Sequence, residues 1–219
     1  MNEQTSDTSV ELYGYKYSVY AWIARLALHE KGVPYDWIEI DPFAENVAPA
    51  YLAMHPFRRV PTLKNDDFVL FETGAITRFI DENFAGPELQ PSSAFERARV
   101  NQVISIVDSY AYWPLVRQVF SHGYFKPFNG ETSDTDEITI GLEAAVPVLE
   151  ILEQISVDDT FLLGDALSLA DIHLAPMISY FTMPVAGQKL IEKYPRLSQW
   201  IIGMERRPEF IRTKPNLTA

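Results

Sequence analysis

The segment that decides the fold spans residues 55–80 and reads HPFRRVPTLKNDDFVLFETGAITRFI. Residues 61–64 and 68–71 form two short apolar runs, and the Asn-Asp-Asp between them is typical of the turn in an antiparallel hairpin. Pro61 at the start of the first run is unusual, because proline cannot donate a hydrogen bond to the strand ladder. Residues 73–83 have the spacing of a helix, so the segment predicts a β-hairpin followed by a helix.

The residues before this segment predict a β-α-β unit. Residues 10–13 alternate like a strand, residues 19–31 have helical spacing and end at Gly32, and residues 35–40 alternate again. A β-α-β start favours parallel strands joined by a right-handed crossover. With residues 43–55 helical or irregular, the order β-α-β-(α)-β-β-α predicts a mixed α/β domain.

Strand signals stop after a Pro- and Gly-containing linker at residues 85–92. We therefore predict one domain over residues 1–84 and an all-α domain over residues 93–219. The helical patterns of the second domain fall at residues 93–122, 136–155, 168–183, 187–193 and 195–205.

Composition excludes several kinds of function. The net charge is -12, and no cluster of Lys and Arg is present to bind nucleic-acid phosphates. The chain has no cysteine, which excludes disulfides and protein thiol chemistry, and its four histidines lack metal-ligand spacing, so we expect no metal. The N-terminus does not look like a secretory signal, and no apolar run approaches the ~20 residues of a membrane span. We therefore expect a soluble cytoplasmic protein.

Four motifs, in order, resemble those of cytosolic glutathione S-transferases over nearly the whole chain. Residues 55–80 are similar to the family pattern NPxGxVPxL…ESxAIxxYL, and residues 14–18 with the following LALHEKG resemble the serine-type, phi-like and theta-like members. FLLG at residues 161–164 followed by SLAD at residues 168–171, and the tail at residues 194–208, complete the resemblance. It implies a thioredoxin-like glutathione-binding domain followed by a helical-bundle domain that carries the electrophile pocket.

The resemblance places Ser18 at the catalytic serine. A thiol with a pKa near 8.5 is mostly protonated at neutral pH, and a hydroxyl donor at a helix start favours its thiolate. The position of Ser18 alone favours an ordinary helix N-cap, and the family register favours the catalytic role. Tyr17 is the second candidate, because tyrosine-type members of the family use a phenol near the end of the first strand; alternatively, it only packs at a domain or dimer boundary.

The resemblance also assigns the glutathione site. Val60, followed by a cis Pro61, would pair its backbone with the cysteinyl part of glutathione; the alternative is an ordinary strand start with a trans Pro61. Thr73 would bind the γ-glutamyl carboxylate at a helix N-terminus, and Glu72 would bind the ammonium group. The alternative is that Thr73 only caps the helix. Arg59 is a candidate for a carboxylate of glutathione, or else a solvated charge.

Residues 46–48 read Asn-Val-Ala where phi-like members carry His and Lys ligands for the glycyl carboxylate. For the electrophile pocket we name Tyr112, Trp113 and Val116, although such an aromatic stripe is more often core. Phe57 is a candidate apolar contact with a second subunit, since the resemblance implies a homodimer.

The function implied is transfer of the glutathione thiolate to a hydrophobic electrophile, with glutathione as co-substrate. Glutathione-dependent peroxide reduction or dehalogenation would need the same thiolate. A non-catalytic glutathione-binding or scaffold member of the fold is the alternative.

Overall fold

The computed structural model describes residues 9–217, which form two compact units. The first unit ends at Pro87 and the second begins at Glu88. The outer ends of the two predicted domains, residues 1–8 and 218–219, lie outside the described residues.

The first unit contains the predicted mixed sheet. Its strands are β1 (Val10–Gly14), β2 (Asp36–Glu39), β3 (Thr62–Asn65) and β4 (Phe68–Phe71), in the order β2-β1-β3-β4. β1 runs parallel to β2 and antiparallel to β3, and β3 and β4 form the expected hairpin. The α/β prediction for this part of the chain is therefore confirmed.

Three helices complete the first unit: α1 (Val19–Lys31), α2 (Pro49–Met54) and α3 (Thr73–Asn83). The packing of α1 against α3 buries an apolar core that includes Trp22 and Ile76. Gly32 ends α1 with φ 68°, a left-handed conformation that costs glycine little.

The second unit is helical throughout, as predicted, and contains more elements than the sequence pattern suggested. Its helices are α4 (Ala94–Ile106), a π-helical segment (Val107–Phe125), α5 (Lys126–Phe128), α6 (Thr135–Ile155), α7 (Leu169–Phe181), α8 (Val185–Ile191), α9 (Pro195–Glu205) and α10 (Pro208–Thr213). Every residue of α7 is buried, which makes it the central helix of the unit. No helix within residues 9–217 is long and apolar enough to cross a bilayer.

The π-helical segment differs from the regular helix expected over residues 93–122. Pro114 lies inside it and has no N–H to donate, so the regular pattern of hydrogen bonds cannot continue through that position. A wider helix changes which side chains share a face.

Asp171 organises the start of α7. Its carboxylate accepts hydrogen bonds from the Ser168 N–H (2.9 Å), the Ser168 hydroxyl (2.8 Å), the Leu162 N–H (2.7 Å) and the Trp200 indole (2.8 Å). Burial raises the pKa of Asp171, and these donors oppose that rise. The capping box expected between Ser168 and Asp171 is confirmed.

Candidate active site

The strand register brings the predicted glutathione-site segments to one end of the sheet. Tyr13 of β1 lies opposite Thr62 of β3, and Thr62 lies opposite Phe71 of β4. The residues just beyond these three strand ends are therefore neighbours in space: the β1–α1 turn, Val60 ahead of β3, and Glu72 after β4. Segments distant in sequence thus meet at one edge.

Ser18 caps α1, and its oxygen accepts the Ala21 N–H at 3.2 Å. The side chain is half-buried, and no acceptor for its hydroxyl proton is found within residues 9–217. The first turn of α1 carries no acidic residue, so no side chain there offsets the positive end of the helix. Ser18 therefore fits the local N-cap interpretation and still has a proton to donate to a ligand.

Tyr17 belongs to a small aromatic cluster beside Ser18. Its ring centroid lies 5.5 Å from that of Tyr15 in an edge-on arrangement, and Tyr15 lies 5.9 Å from Phe43. The Lys16 ammonium sits 4.8 Å from the centre of the Tyr17 ring. Ring packing within the first unit thus accounts for part of the role of Tyr17.

Val60 presents unpaired backbone at the sheet end. The Val60–Pro61 peptide bond is cis, as expected. In the described part of the chain, neither the N–H nor the C=O of Val60 has a hydrogen-bond partner. Arg59 is exposed, and its carbonyl accepts a hydrogen bond from the Tyr51 hydroxyl at 2.6 Å. The geometry leaves Val60 open to an added extended backbone.

Glu72, rather than Thr73, occupies the cap position of α3. Glu72 has φ 72° and makes no side-chain cap hydrogen bond, and its side chain is exposed. Thr73 is buried and begins the helix. Among residues 9–217 the first amides of α3 therefore have no side-chain acceptor, which is the arrangement that binds a carboxylate.

His55 packs against Phe71, the last residue of β4, a contact that the spacing of the histidines in the sequence does not indicate. Its ring is buried and stacks on Phe71 with centroids 4.6 Å apart. Burial lowers the pKa of His55; the charge of Arg59 also lowers it, and the charge of Glu72 opposes the change. His55, Arg59 and Glu72 are therefore close enough for their charges to interact.

The three predicted pocket residues differ in exposure. Val116 is buried, Tyr112 is half-buried and Trp113 is 61% exposed. A separate groove of about 480 Å³ lies between the π-helical segment and α6. None of the three lines this groove, whose walls include Ile106, Tyr110, Pro114, Ala144, Pro147 and Ile151.

No group of three or more His, Asp or Glu side chains in residues 9–217 is arranged to hold a metal ion.

Comparison with known proteins decides the family. A family model described as the glutathione S-transferase N-terminal domain matches residues 12–88, and one described as the C-terminal domain matches residues 112–208. The chain belongs to the cytosolic glutathione S-transferase family. Glutathione S-transferase F13 of Arabidopsis thaliana is 30% identical over 96% of this chain and 97% of its own.

Solved structures of other family members are similar to this chain over most of its length. Glutathione transferase F7 from Populus trichocarpa is 29% identical, with a TM-score of 0.81 covering 93% of this chain and 97% of its own. The theta class glutathione S-transferase of Xanthomonas axonopodis pv. citri, solved with glutathione bound, is 27% identical. Its TM-score is 0.81, covering 96% of this chain and 100% of its own.

Proposed function

We propose that this protein is a glutathione S-transferase that joins the glutathione thiolate to a hydrophobic electrophile. The observation that carries the proposal is the strand register, which brings the Ser18 turn, Val60 and the start of α3 to one end of the sheet. Family membership and the relatives named glutathione S-transferase support it.

Ser18 is proposed to stabilise the thiolate. Its oxygen already accepts the Ala21 N–H, so the hydroxyl proton is available for the glutathione sulfur. The N-terminus of α1 adds partial positive charge beside the same atom. Both effects lower the pKa of a bound thiol from about 8.5 and raise its thiolate fraction at neutral pH.

Glutathione would be held at the same end of the sheet by the Val60 backbone and by groups at the start of α3. The N–H and C=O of Val60 would pair with the cysteinyl backbone, since neither has a partner within the described residues. Pro61 would hold Val60 just before the start of β3. The γ-glutamyl carboxylate would bind the Thr73 hydroxyl and the first amides of α3, and Glu72 would bind the ammonium group.

Arg59 is the cation proposed for the glycyl carboxylate. Residues 46–48 supply no charged ligand, and the Arg59 side chain is exposed. Its guanidinium has no partner among residues 9–217, so it is available to an incoming carboxylate.

The electrophile would contact Tyr112, Trp113 and Val116 of the helical unit. Peroxide reduction and dehalogenation are side activities that the same thiolate would support.

A cytoplasmic location and a homodimer are part of the same proposal. Phe57 is 65% exposed and would enter the groove of about 480 Å³ on a second copy of the chain. Phe57→Ser should then shift the protein toward monomer in analytical ultracentrifugation, and an unchanged sedimentation coefficient would count against this contact.

The activity test compares three variants with a chlorinated dinitrobenzene as electrophile. Ser18→Ala should lower kcat about 10- to 100-fold, because a hydrogen bond to a charged group contributes about 1.5–3 kcal/mol. Tyr17→Phe should change kcat less than twofold. Ser93→Ala is the matched control, because Ser93 also occupies a helix cap and makes no side-chain cap bond.

Two outcomes contradict the proposal at different points. If Tyr17→Phe abolishes turnover and Ser18→Ala does not, the serine assignment is wrong. If the protein is retained on immobilised glutathione and turns over no electrophile or peroxide, the non-catalytic binding alternative replaces the enzyme.

A further inference from the structure

Tyr51 is the residue through which α2 is anchored. Of the six residues of α2, Tyr51 alone is buried, with 2% of its surface exposed, whereas the next residue, Leu52, is 36% exposed. The Tyr51 ring lies 5.9 Å from that of Tyr13 on β1. The N–H of His55 at the end of α2 donates to the Tyr51 carbonyl at 2.9 Å. The Tyr51 side chain therefore connects a short, exposed helix to the sheet.

The Tyr51 hydroxyl spans the Val60–Pro61 pair. It lies 2.6 Å from the carbonyl oxygen of Arg59, the residue before Val60. It lies 3.1 Å from the Thr62 hydroxyl, on the residue after Pro61. A single oxygen thus contacts both neighbours of the dipeptide.

The directions of these two hydrogen bonds follow from the number of protons. A carbonyl oxygen can only accept, so the Tyr51 proton is donated to Arg59. Thr62 must then donate its own proton to the Tyr51 oxygen. Burial raises the pKa of Tyr51, which keeps the phenol protonated and able to donate.

We propose that Tyr51 is a positioning residue that fixes the Val60 backbone in register to pair with glutathione. This inference rests on the proposed function, which assigns Val60 the role of pairing with the glutathione backbone. Tyr51 would not touch glutathione; it would hold the Arg59 carbonyl and the Thr62 side chain while Val60 accepts the ligand. Binding of glutathione would depend on the hydroxyl, and the chemistry at Ser18, on a different element, would not.

The test is the substitution Tyr51→Phe, which removes the hydroxyl and keeps the ring. Tyr13→Phe is the matched control. The Tyr13 ring touches that of Tyr51, and the Tyr13 hydroxyl donates to the Glu11 carboxylate rather than to the loop. Burial and that acidic partner raise the pKa of Tyr13 to about 12, so the control also removes a protonated phenol.

Glutathione affinity is measured by titration calorimetry. Turnover is measured with a saturating concentration of the chlorinated dinitrobenzene. The order of the loop is measured by hydrogen exchange of residues 57–60 without ligand. Tyr51→Phe should weaken glutathione binding about five- to tenfold, speed exchange in the loop, and leave kcat at saturating glutathione within about twofold. Tyr13→Phe should leave all three values unchanged. Thr62→Val should produce a smaller weakening, of about twofold, and serves if Tyr51→Phe does not fold.

Unchanged affinity and exchange in both Tyr51→Phe and Thr62→Val would overturn the inference and leave the proposed function intact. Equal losses of glutathione affinity in Tyr51→Phe and Tyr13→Phe would also overturn the inference. The loss would then come from general disturbance of this face of the sheet and not from the Tyr51 hydroxyl. Absence of any glutathione binding by the unaltered protein would overturn the proposed function, and the exchange rates would still decide whether Tyr51 holds the loop.

Discussion

Ser18 and Ser168 each occupy the cap position of a 13-residue helix, yet their hydroxyl protons have different fates. Ser168 is buried and donates its proton to the Asp171 carboxylate at 2.8 Å. Ser18 is half-buried, accepts the Ala21 N–H, and has no described acceptor for its own proton. The same residue type at the same helix position thus closes one network and leaves the other able to bind a ligand.

The start of α3 is a third case. Glu72 occupies its cap position without a side-chain cap bond, and the buried Thr73 follows. An unsatisfied helix start costs stability unless water or a ligand completes it. We infer that the closed start of α7 serves folding, and that the Ser18 hydroxyl proton at the start of α1 and the uncapped start of α3 serve glutathione.

The largest effect is expected from opening the closed network. Asp171→Ala would leave the Leu162 amide, the Trp200 indole and both Ser168 donors without their buried acceptor. The free energy of unfolding should fall by about 3–5 kcal/mol, as measured by urea denaturation. Asp165→Ala, on an exposed residue just ahead of α7, is the control and should stay within about 0.5 kcal/mol. Similar values for the two variants would show that the network is not structural.

A smaller effect should separate the two serines. Ser168→Ala should lower the free energy of unfolding by about 1–2 kcal/mol and leave kcat unchanged, because its proton serves only the cap. Ser18→Ala should cost about 1 kcal/mol or less, because it loses one partly buried cap bond, and should lower kcat strongly. Denaturation and turnover measured on the same two preparations check this. If Ser168→Ala lowered kcat at temperatures where the variant is still folded, the proposed difference in role between the two serines would be wrong.

The smallest effect concerns the start of α3. Thr73→Val removes a buried hydroxyl proposed to bind the γ-glutamyl carboxylate, and KM for glutathione should rise about fivefold, with kcat nearly constant. Thr77→Val is the matched control. Thr77 is buried one turn further along α3, and its hydroxyl donates to the Gly74 carbonyl at 3.4 Å. An equal rise in KM in both variants would indicate general loosening of α3 rather than a lost ligand contact.

Most of the sheet unit could be predicted from the sequence because its signals are local. Alternation marks the strands, the Asn-Asp-Asp turn marks the hairpin, and Gly32 marks the end of α1. The Ser168–Asp171 capping box has a fixed spacing and was also predictable.

The remaining features depend on contacts that no local pattern encodes. The Tyr51 hydroxyl meets Arg59 and Thr62 across 8 and 11 positions of sequence, so its role is visible only in the structure. The π-helical segment follows a different period from the one used to interpret residues 93–122, and α10 is a single six-residue element beyond the last predicted helix. Likewise, sequence can place Ser18 at a helix start, but only its neighbours in space show that its proton has no acceptor among residues 9–217.

The central claim is that the Ser18 hydroxyl proton stabilises a glutathione thiolate. The most direct test is the pKa of the glutathione thiol bound to the unaltered protein and to Ser18→Ala, measured from the ultraviolet absorbance of the thiolate across a pH titration. We predict a bound-thiol pKa clearly below about 8.5 in the unaltered protein and a rise of about one unit or more in Ser18→Ala. The same thiol pKa in both proteins would contradict the account.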